Sequence, residues 1–356
     1  MTGKERMIKI LNHEPVDRIA IYEHFWGDTH KAWEKAGHLK PGESFDDHFD
    51  FDMSECWAFN MVIDLDFVKE TISETENTIT QKDGNGAILK RHKLHDTTPE
   101  HIGYTICEKE DWDKVKHMLK AEPRRINFEA YRKAKKAAAD AGRFFCWSGV
   151  NVFELMHPIC GHENMLVGMI LEPEWIEEMA TTLIDITLEL QEILFNQEGY
   201  PDGIWYYEDM GYKLKPFMSP QKYIELIMPS HKKSCDYAHS HGMPVIMHSC
   251  GYVATLLPHM IEAGIDCLQV IEIKAGMDLL DLHAKYGDKI CFMGGIDVRT
   301  LYKNDTAEID KELEEKIPVV KNGFNYVLHS DHSIPNTVNY ETFQYFIKKG
   351  LELGTY

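Results

Sequence analysis

The residues best suited to chemistry in this chain of 356 residues are His248 and Cys250, in the run PVIMHSCG. Because they lie two positions apart on a predicted extended strand, their side chains point to the same face. An imidazole nitrogen and a thiolate are both ligands that suit zinc. A catalytic zinc needs a third protein ligand and an open position, and the candidates are Asp331, His332 and Glu208. A buried cysteine beside a hydrogen-bonded histidine, without metal, is the alternative.

A pair of carboxylates, Glu208 and Asp209, follows the aromatic run Trp205–Tyr207. At a strand end such a pair binds metal or transfers a proton, whereas the alternative is a solvated pair at the start of a loop. We assign catalytic roles to Glu208, His248, Asp331 and His332, and His248, Cys250 and Asp331 form the predicted metal set. Polar or aromatic residues near the strand ends are expected to contact substrate: Glu23, His24, Trp26, Trp147, Asn151, Trp205, Tyr206 and Tyr252. For the aromatic residues, ordinary core positions are the alternative.

A second group, His157, His162 and Glu163 in the run ELMHPICGHENM, also suggests metal binding. Its spacing is not that of a known metal site on a helix. We therefore expect a loop and a helix N-terminus there, with the hydrogen bonds of the side chains satisfied.

These residues must be positioned by the elements of the second half of the chain, where short β-branched or aromatic runs alternate with helical segments. A glycine is predicted to end each helix before the next strand: Gly142, Gly199, Gly242, Gly264, Gly287 and Gly323. Such alternation predicts a parallel sheet. Six strands follow Arg143, the run IAIYEHF makes a seventh, and one more strand from the segment between them would close an eight-stranded barrel.

We predict an α/β fold, a (β/α)8 TIM barrel, as one domain over residues 1–356. An open doubly wound sheet is the main competitor, but a glycine-rich phosphate loop after the first strand is missing from the sequence. Residues 27–125 interrupt the alternation, and Asp83-Gly84 and Asn85-Gly86 are strong hairpin signals. This segment is the predicted N-terminal antiparallel β insertion, beside or over the barrel mouth. Barrels of this kind hold their chemistry at the C-terminal strand ends, where the residues above fall.

Charge and composition exclude several classes of partner. The chain has 58 acidic and 38 basic residues, a formal charge of −20, which disfavours nucleic acid and anionic membranes. Its first residues are polar, and no apolar run is long enough for a membrane helix. The eight cysteines are scattered, so we expect reduced thiols in a soluble, cytoplasmic protein.

Several segments together resemble the uroporphyrinogen decarboxylase superfamily, and within it the cobalamin-dependent methyltransferase branch. They include the opening KERMIKILNHEPVDRIAIYEHFW and the later runs HSCG, MGGID and DHSIP, so the resemblance extends nearly end to end. It implies a (β/α)8 barrel enzyme that exchanges a methyl group with a corrinoid carried by a separate protein. It also implies His248 and Cys250 as zinc ligands.

The sequence departs from the family pattern in two places. Uroporphyrinogen decarboxylases carry a segment of the form RQAGRY that binds substrate carboxylates, whereas the comparable stretch here, FWGDTHKAWEKAG, has no arginine. This makes a decarboxylase the less favoured alternative. Thiol-methylating members have a later cysteine as third zinc ligand, but here the matching stretch is His329-Ser330-Asp331-His332. A harder ligand suits an oxygen-bearing substrate better than a thiol.

The sequence therefore predicts a methyltransferase that moves a methyl group from a methoxylated, aromatic compound to the Co(I) of a corrinoid protein, as in anaerobic O-demethylation. The corrinoid or cobalamin comes from the partner, the methyl donor is a small molecule, and the chain binds one zinc or no metal. Transfer from methyl-corrinoid to a thiol is the alternative. A binding protein that docks a corrinoid domain without chemistry is disfavoured, because ionisable groups gather at the strand ends. The sequence leaves open whether the chain forms a homodimer.

Overall fold

Eight parallel strands form one curled sheet in the computed structural model, which describes residues 1–95 and 98–356. The strands are β1 (Ala20–Ile21), β2 (Met53–Trp57), β3 (Phe144–Val150), β4 (Gly203–Tyr207), β5 (Val245–Ser249), β6 (Cys267–Val270), β7 (Cys291–Gly294) and β8 (Tyr326–Leu328). Their order in the sheet is β1-β8-β7-β6-β5-β4-β3-β2. The two ends of the sheet meet where the Asp52 N–H donates to the Ile21 carbonyl at 3.0 Å. The predicted TIM barrel is confirmed.

The strands are mostly buried on both faces, as a parallel sheet covered by helices requires. Every residue of β6 and β7 is buried, and so is all of β3 except Val150. The strand needed to complete the barrel is β2, which lies inside the segment 27–125. Its first residues, Met53 and Ser54, are buried against β3.

Helices cover the outside of the sheet, and most barrel strands are followed by one or more of them. Their bounds are α1 (Gly3–Leu11), α2 (Gly27–Lys35), α3 (Phe45–His48), α4 (Lys109–Val115), α5 (Phe128–Ala141), α6 (Val152–Leu171), α7 (Pro173–Glu198), α8 (Pro220–Lys222), α9 (Met228–Ser240), α10 (Leu257–Ala263), α11 (Leu279–Tyr286), α12 (Val298–Tyr302), α13 (Thr306–Val320) and α14 (Tyr340–Gly354). A π-helical turn, Tyr223–Ile227, lies between α8 and α9. Among the described residues, none of these helices has the length and apolarity needed to cross a bilayer.

The predicted glycine stops are confirmed at Gly142 and Gly264, which end α5 and α10 in the left-handed conformation with φ of 68° and 108°. Gly287 is different. It follows α11 with φ of −65°, so this helix ends without a left-handed residue. Its Cβ position lies 2.5 Å from the His283 carbonyl, so the close approach of the chain accounts for glycine there.

The antiparallel insertion is a four-stranded sheet of consecutive strands, Glu70–Glu74, Thr78–Lys82, Ile88–His92 and Glu100–Gly103. The turn at the predicted hairpin signal is closed by Asp83, whose N–H donates to the Ala87 carbonyl and whose side chain accepts the Ala87 N–H, both at 3.0 Å. The last strand and the loop after it contact α6, because His101 and Tyr104 lie against His157 and Gly161. The insertion therefore sits beside the C-terminal end of β3.

A buried ion-pair network supports the seam between β1 and β2. The Asp52 carboxylate is 2% exposed and accepts the Ile21 N–H and Arg18 Nη1, both at 2.7 Å. It also pairs with Arg6, a side chain that is 5% exposed and that binds Asp17 at 2.7 Å. This network fixes the end of the barrel opposite the strand ends that carry the candidate site.

Candidate active site at the barrel mouth

Three side chains with metal-binding atoms meet at the ends of β4 and β5: Asp209, His248 and Cys250. Their donor atoms all lie within 4.8 Å of one another. His248 Nε2 is 3.3 Å from Cys250 Sγ and 3.2 Å from Asp209 Oδ1. A tetrahedral zinc with ordinary bond lengths separates such ligand atoms by about 3.4–3.6 Å. The oxygen, nitrogen and sulfur donors of this set, here called the Asp209 site, therefore fit a zinc ion.

Neighbouring groups orient these donors. The Gln269 side-chain oxygen accepts a hydrogen bond from His248 Nδ1, which leaves Nε2 to face Cys250 and Asp209. Asp209 Oδ1 accepts the Cys250 N–H at 2.7 Å. Burial opposes a charged imidazole, yet the interactions with Cys250 and Asp209 outweigh burial and hold the pKa of His248 well above its usual range, whereas burial raises the pKa of the Cys250 thiol. The site therefore favours positive charge.

A second polar cluster lies inside the barrel and consists of His24, Glu55 and Tyr207. The Tyr207 hydroxyl is 3.0 Å from His24 Nε2 and 3.0 Å from both Glu55 oxygens, and His24 Nε2 is 3.2 Å from Glu55 Oε1. Ser148 Oγ donates to Glu55 at 2.5 Å. Burial raises the pKa of Glu55, but the hydrogen bonds and charge of His24 outweigh burial, so the net pKa is lowered. The cluster holds a carboxylate in the barrel interior.

His329 and Gln269 connect the two clusters. Gln269 Nε2 donates to His329 Nε2 at 3.3 Å, and His329 Nε2 is 3.2 Å from His24 Nδ1. Burial holds the pKa of His329 well below its usual range, so the ring is neutral and accepts these bonds. Through Gln269, a continuous hydrogen-bonded path runs from the Asp209 site to Glu55.

Glu23 contacts this path at His24 and His329. Its carboxylate accepts the His24 N–H at 2.9 Å and the Ser330 N–H at 2.8 Å, and it lies 3.2 Å from His329 Nδ1. Burial raises the pKa of Glu23 to about 8. The predicted substrate residue Glu23 is 3% exposed and holds the backbone at the strand end.

Glu208 faces away from the mouth. Its side chain has no exposed surface and accepts the Phe153 N–H at 2.9 Å and the Glu154 N–H at 3.0 Å. It also pairs with His231 Nε2 at 2.6 Å. Glu208 thus caps α6, and the structure places Asp209, the next residue, in the position beside His248.

Asp331 and His332 lie at the mouth but apart from the Asp209 site. The Asp331 carboxylate is 1% exposed and accepts the Val298 N–H at 2.8 Å and the Ile273 N–H at 2.9 Å. Burial raises the pKa of Asp331 to about 6. His332 is half-buried, and its ring stacks on Trp26 at 6.1 Å between centroids. Burial lowers the pKa of His332.

The other predicted substrate residues divide between mouth and core. His24 is 20% exposed and Tyr252 is half-buried on the loop after β5. Trp205 is fully buried inside the barrel, with its ring 5.3 Å from that of His24. Tyr206 and Asn151 face the helices, where they bind Gln191 and Ser234.

Trp147 lines an apolar cavity of about 220 Å³ beside the mouth. Trp57, Phe59, Leu155 and Ile159 are among its other walls, and Ser148, which donates to Glu55, also borders it. The Trp57 ring is half exposed and packs on Tyr207 at 4.7 Å, and the Tyr207 ring is 5.0 Å from that of His248. Tyr207 therefore connects the cavity with the Asp209 site.

Of the carboxylate pair Glu208-Asp209, the sequence interpretation chose Glu208 as the candidate ligand, and it gave no role to Glu55 or Tyr207. Side-chain alternation indicates Asp209 and Tyr207. Tyr207 and Asp209 share the face of β4 that carries Trp205, whereas Glu208 belongs to the opposite face. Trp205 contacts His24 inside the barrel, so that face is the interior one. Glu55 lies in β2, within the segment read as insertion, where its acidic side chain in the run MSECW was the available signal.

The chain belongs to the uroporphyrinogen decarboxylase family, whose sequence profile matches residues 94–350. It is 25% identical over 156 residues to the methylated-thiol–coenzyme M methyltransferase of Methanosarcina mazei. That match spans 44% of this chain and only 40% of the relative's length. The structure is similar to that of a methyltransferase from Methanosarcina mazei, with a TM-score of 0.67, 14% identity and 99% of both chains covered. The fold is therefore shared with a methyltransferase along the whole chain.

Proposed function

We propose that the protein is a methyltransferase that moves a methyl group from a methoxylated aromatic compound to the Co(I) of a corrinoid protein. The observation that carries this proposal is the Asp209 site, a mixed oxygen, nitrogen and sulfur donor set at the mouth of a barrel of this family. Both similar proteins are described as methyltransferases. A member of this family whose mouth gathers these donors is suited to activate a group for methyl transfer.

In this proposal Asp209, His248 and Cys250 hold one zinc ion. When bound there, zinc supplies a Lewis acid that polarises the ether oxygen of the substrate. The donor set has one thiolate instead of two, and a harder oxygen ligand accompanies it, which favours an oxygen-bearing substrate. Gln269 fixes the tautomer of His248 so that Nε2 faces the ion.

The leaving oxygen needs a proton. In the transfer, the bond between methyl carbon and oxygen breaks, the oxygen keeps the electron pair, and the two electrons of Co(I) form the new bond to carbon. The Tyr207 hydroxyl gives its proton to the phenolate while it takes one from His24 Nε2, 3.0 Å away. Glu55 holds both groups in place with contacts of 3.0 and 3.2 Å.

The apolar cavity beside the mouth is the binding site we propose for the aromatic ring. Its walls include Trp57, Phe59 and Trp147, which offer flat apolar surface. Trp57, one of these walls, packs on Tyr207, which supports a binding mode with the ether oxygen of the ring near the proton donor. The corrinoid protein is proposed to dock over the mouth, because the methyl group must face outward to reach cobalt.

Transfer of methyl from a methylated corrinoid to a thiol is the second candidate. The observation that favours it is the sequence similarity to a methylated-thiol–coenzyme M methyltransferase. A thiol acceptor would need activation at the Asp209 site as the thiolate, and the Tyr207–His24 pair would then have no proton to deliver.

The experiment that separates the two candidates measures product in both directions with purified full-length protein and a corrinoid protein. A methoxyphenol with Co(I) corrinoid should give the free catechol and methyl-corrinoid. A thiol with methyl-corrinoid should give little thioether. The reverse pattern would overturn the O-demethylation proposal in favour of the second candidate.

A further inference from the structure

A kink in α6 brings two histidines together beside the insertion. Gly161, inside the helix, has φ of 79° and ψ of 153°, which is not a helical conformation. In a regular helix, residues 157 and 162 would be about 140° apart around the axis. Here the rings of His157 and His162 stack with centroids 3.9 Å apart. A Cβ at Gly161 would lie 2.4 Å from the Tyr104 ring, so the packed insertion leaves room only for glycine.

A carboxylate completes this group. Glu154 is one turn before His157, and its Oε1 lies 3.7 Å from His157 Nδ1. The donor atoms of Glu154, His157 and His162 all lie within 4.8 Å of one another. His162 Nε2 is buried without a hydrogen-bond partner among the described residues, contrary to the sequence expectation of satisfied side chains. A buried polar nitrogen without a hydrogen-bond partner destabilises the fold. His162 Nε2 is therefore available to bind a ligand such as a metal ion.

We propose that Glu154, His157 and His162 form a second metal site that binds one divalent transition ion, such as Zn²⁺ or Co²⁺. Two imidazoles and a carboxylate suit these borderline ions. The site shares no residue with the Asp209 site and contains no thiolate. The inference is independent of the proposed methyl transfer.

Binding requires a small rearrangement of the rings. Their planes are 21° apart, and one ion cannot lie in the plane of two stacked rings. The stack opens by rotation about χ2 of His157, a torsion with a broad, shallow profile. The His157 side chain is 18% exposed and next to His101, so the rotation takes place at the boundary of α6 and the insertion.

The bound ion would fix the kink on which the insertion packs. Tyr104 contacts Gly161, and the His101 ring lies 4.8 Å from that of His157. An ion held by three residues of the kinked segment therefore stabilises the insertion against the barrel. We expect metal to raise the thermal midpoint through this site as well as through the Asp209 site.

The test counts metal in the chelator-treated full chain after Co²⁺ is added and excess is removed. Wild type should retain two equivalents, His162→Ala one, and the double variant His248→Ala/Cys250→Ala one. The equivalent in the double variant should lack the near-ultraviolet band of cobalt–thiolate coordination. The equivalent in His162→Ala should keep that band, because it occupies the site with Cys250.

Two further variants control for folding. Glu154→Gln retains the shape of the side chain and should weaken the second equivalent at least tenfold, while circular dichroism stays unchanged. His241→Ala, a histidine stacked on Tyr200 far along the chain, should retain both equivalents. A double variant His248→Ala/Cys250→Ala that holds no equivalent, or an equivalent that survives when His162→Ala is added to that double variant, overturns the proposal. Failure of methyl transfer with two equivalents bound would refute only the proposed function.

Discussion

Gln269 offers a sharp test of the Asp209 site because it touches His248 without being a ligand. It is 1% exposed, its oxygen accepts from His248 Nδ1, and its nitrogen donates to His329 at 3.3 Å. Gln269→Leu has similar volume but cannot accept a hydrogen bond. His248 then loses the contact that keeps its proton on Nδ1 and its Nε2 free for metal.

The expected loss follows from what such outer contacts contribute. Removing the hydrogen-bond partner of a metal-bound histidine typically weakens metal affinity 10- to 100-fold, or about 1.4–2.7 kcal/mol. The Leu variant also leaves His329 Nε2 without one donor, so a stability loss of about 1–3 kcal/mol accompanies it. Metal affinity must therefore be measured on folded protein, below the unfolding transition.

The assay is competition for Zn²⁺ between the protein and a chromophoric chelator. Gln269→Glu is the matched control, because its carboxylate still accepts from His248 Nδ1 and should keep affinity within a few-fold of wild type. If the Leu variant binds zinc as tightly as wild type, Gln269 does not orient a metal ligand and the assignment of His248 is refuted.

Three further predictions concern the proton path, the seam and the pH dependence. Tyr207→Phe keeps the ring against Trp57 but removes the hydroxyl 3.0 Å from His24, so kcat for demethylation should fall about 100-fold or more with little change in KM, and near-normal turnover would exclude Tyr207 as donor. Asp52→Asn leaves the buried charge of Arg6 poorly compensated, so chemical denaturation should show a loss of about 3 kcal/mol, and a loss below about 1 kcal/mol would contradict the role given to this network. Glu23 has a pKa raised by burial to about 8, so its contribution to stability is complete below its unfolded pKa near 4.5 and is lost as the pH rises through about 8. Between pH 5 and pH 8 this amounts to about 3 kcal/mol, and Glu23→Gln should flatten that slope in denaturation curves, whereas an unchanged slope would assign the dependence to other groups.

The fold was predictable because its signals are local and repeated. Helices that end at residues such as Gly142 and Gly264 and are followed by apolar runs indicate a parallel barrel. The strand β2 was harder to place, since the run MSECW is short and carries Glu55 in its middle. A charged residue in the middle of a strand sequence indicates a surface position, unless the barrel interior is known to be polar.

The candidate site was predictable only in part, for reasons of distance and direction. His248 and Cys250 lie two positions apart at the end of one predicted strand, so their shared face follows from the sequence. The third donor comes from a neighbouring strand, and the choice between Glu208 and Asp209 depends on which face of β4 turns inward. Asp331 was favoured because it resembles a ligand position of the family, but its oxygens bind two backbone N–H groups at the starts of neighbouring segments.

The most direct test of the account is a measurement of methyl transfer from 2-methoxyphenol to a Co(I) corrinoid protein, with zinc-loaded enzyme and the loss of the Co(I) absorption band as the signal. We expect wild type to form catechol and methyl-corrinoid in equal amounts, and we expect His248→Ala and Asp209→Ala to form neither. Wild type that leaves every methoxyarene unchanged, yet methylates a thiol from methyl-corrinoid, would contradict it.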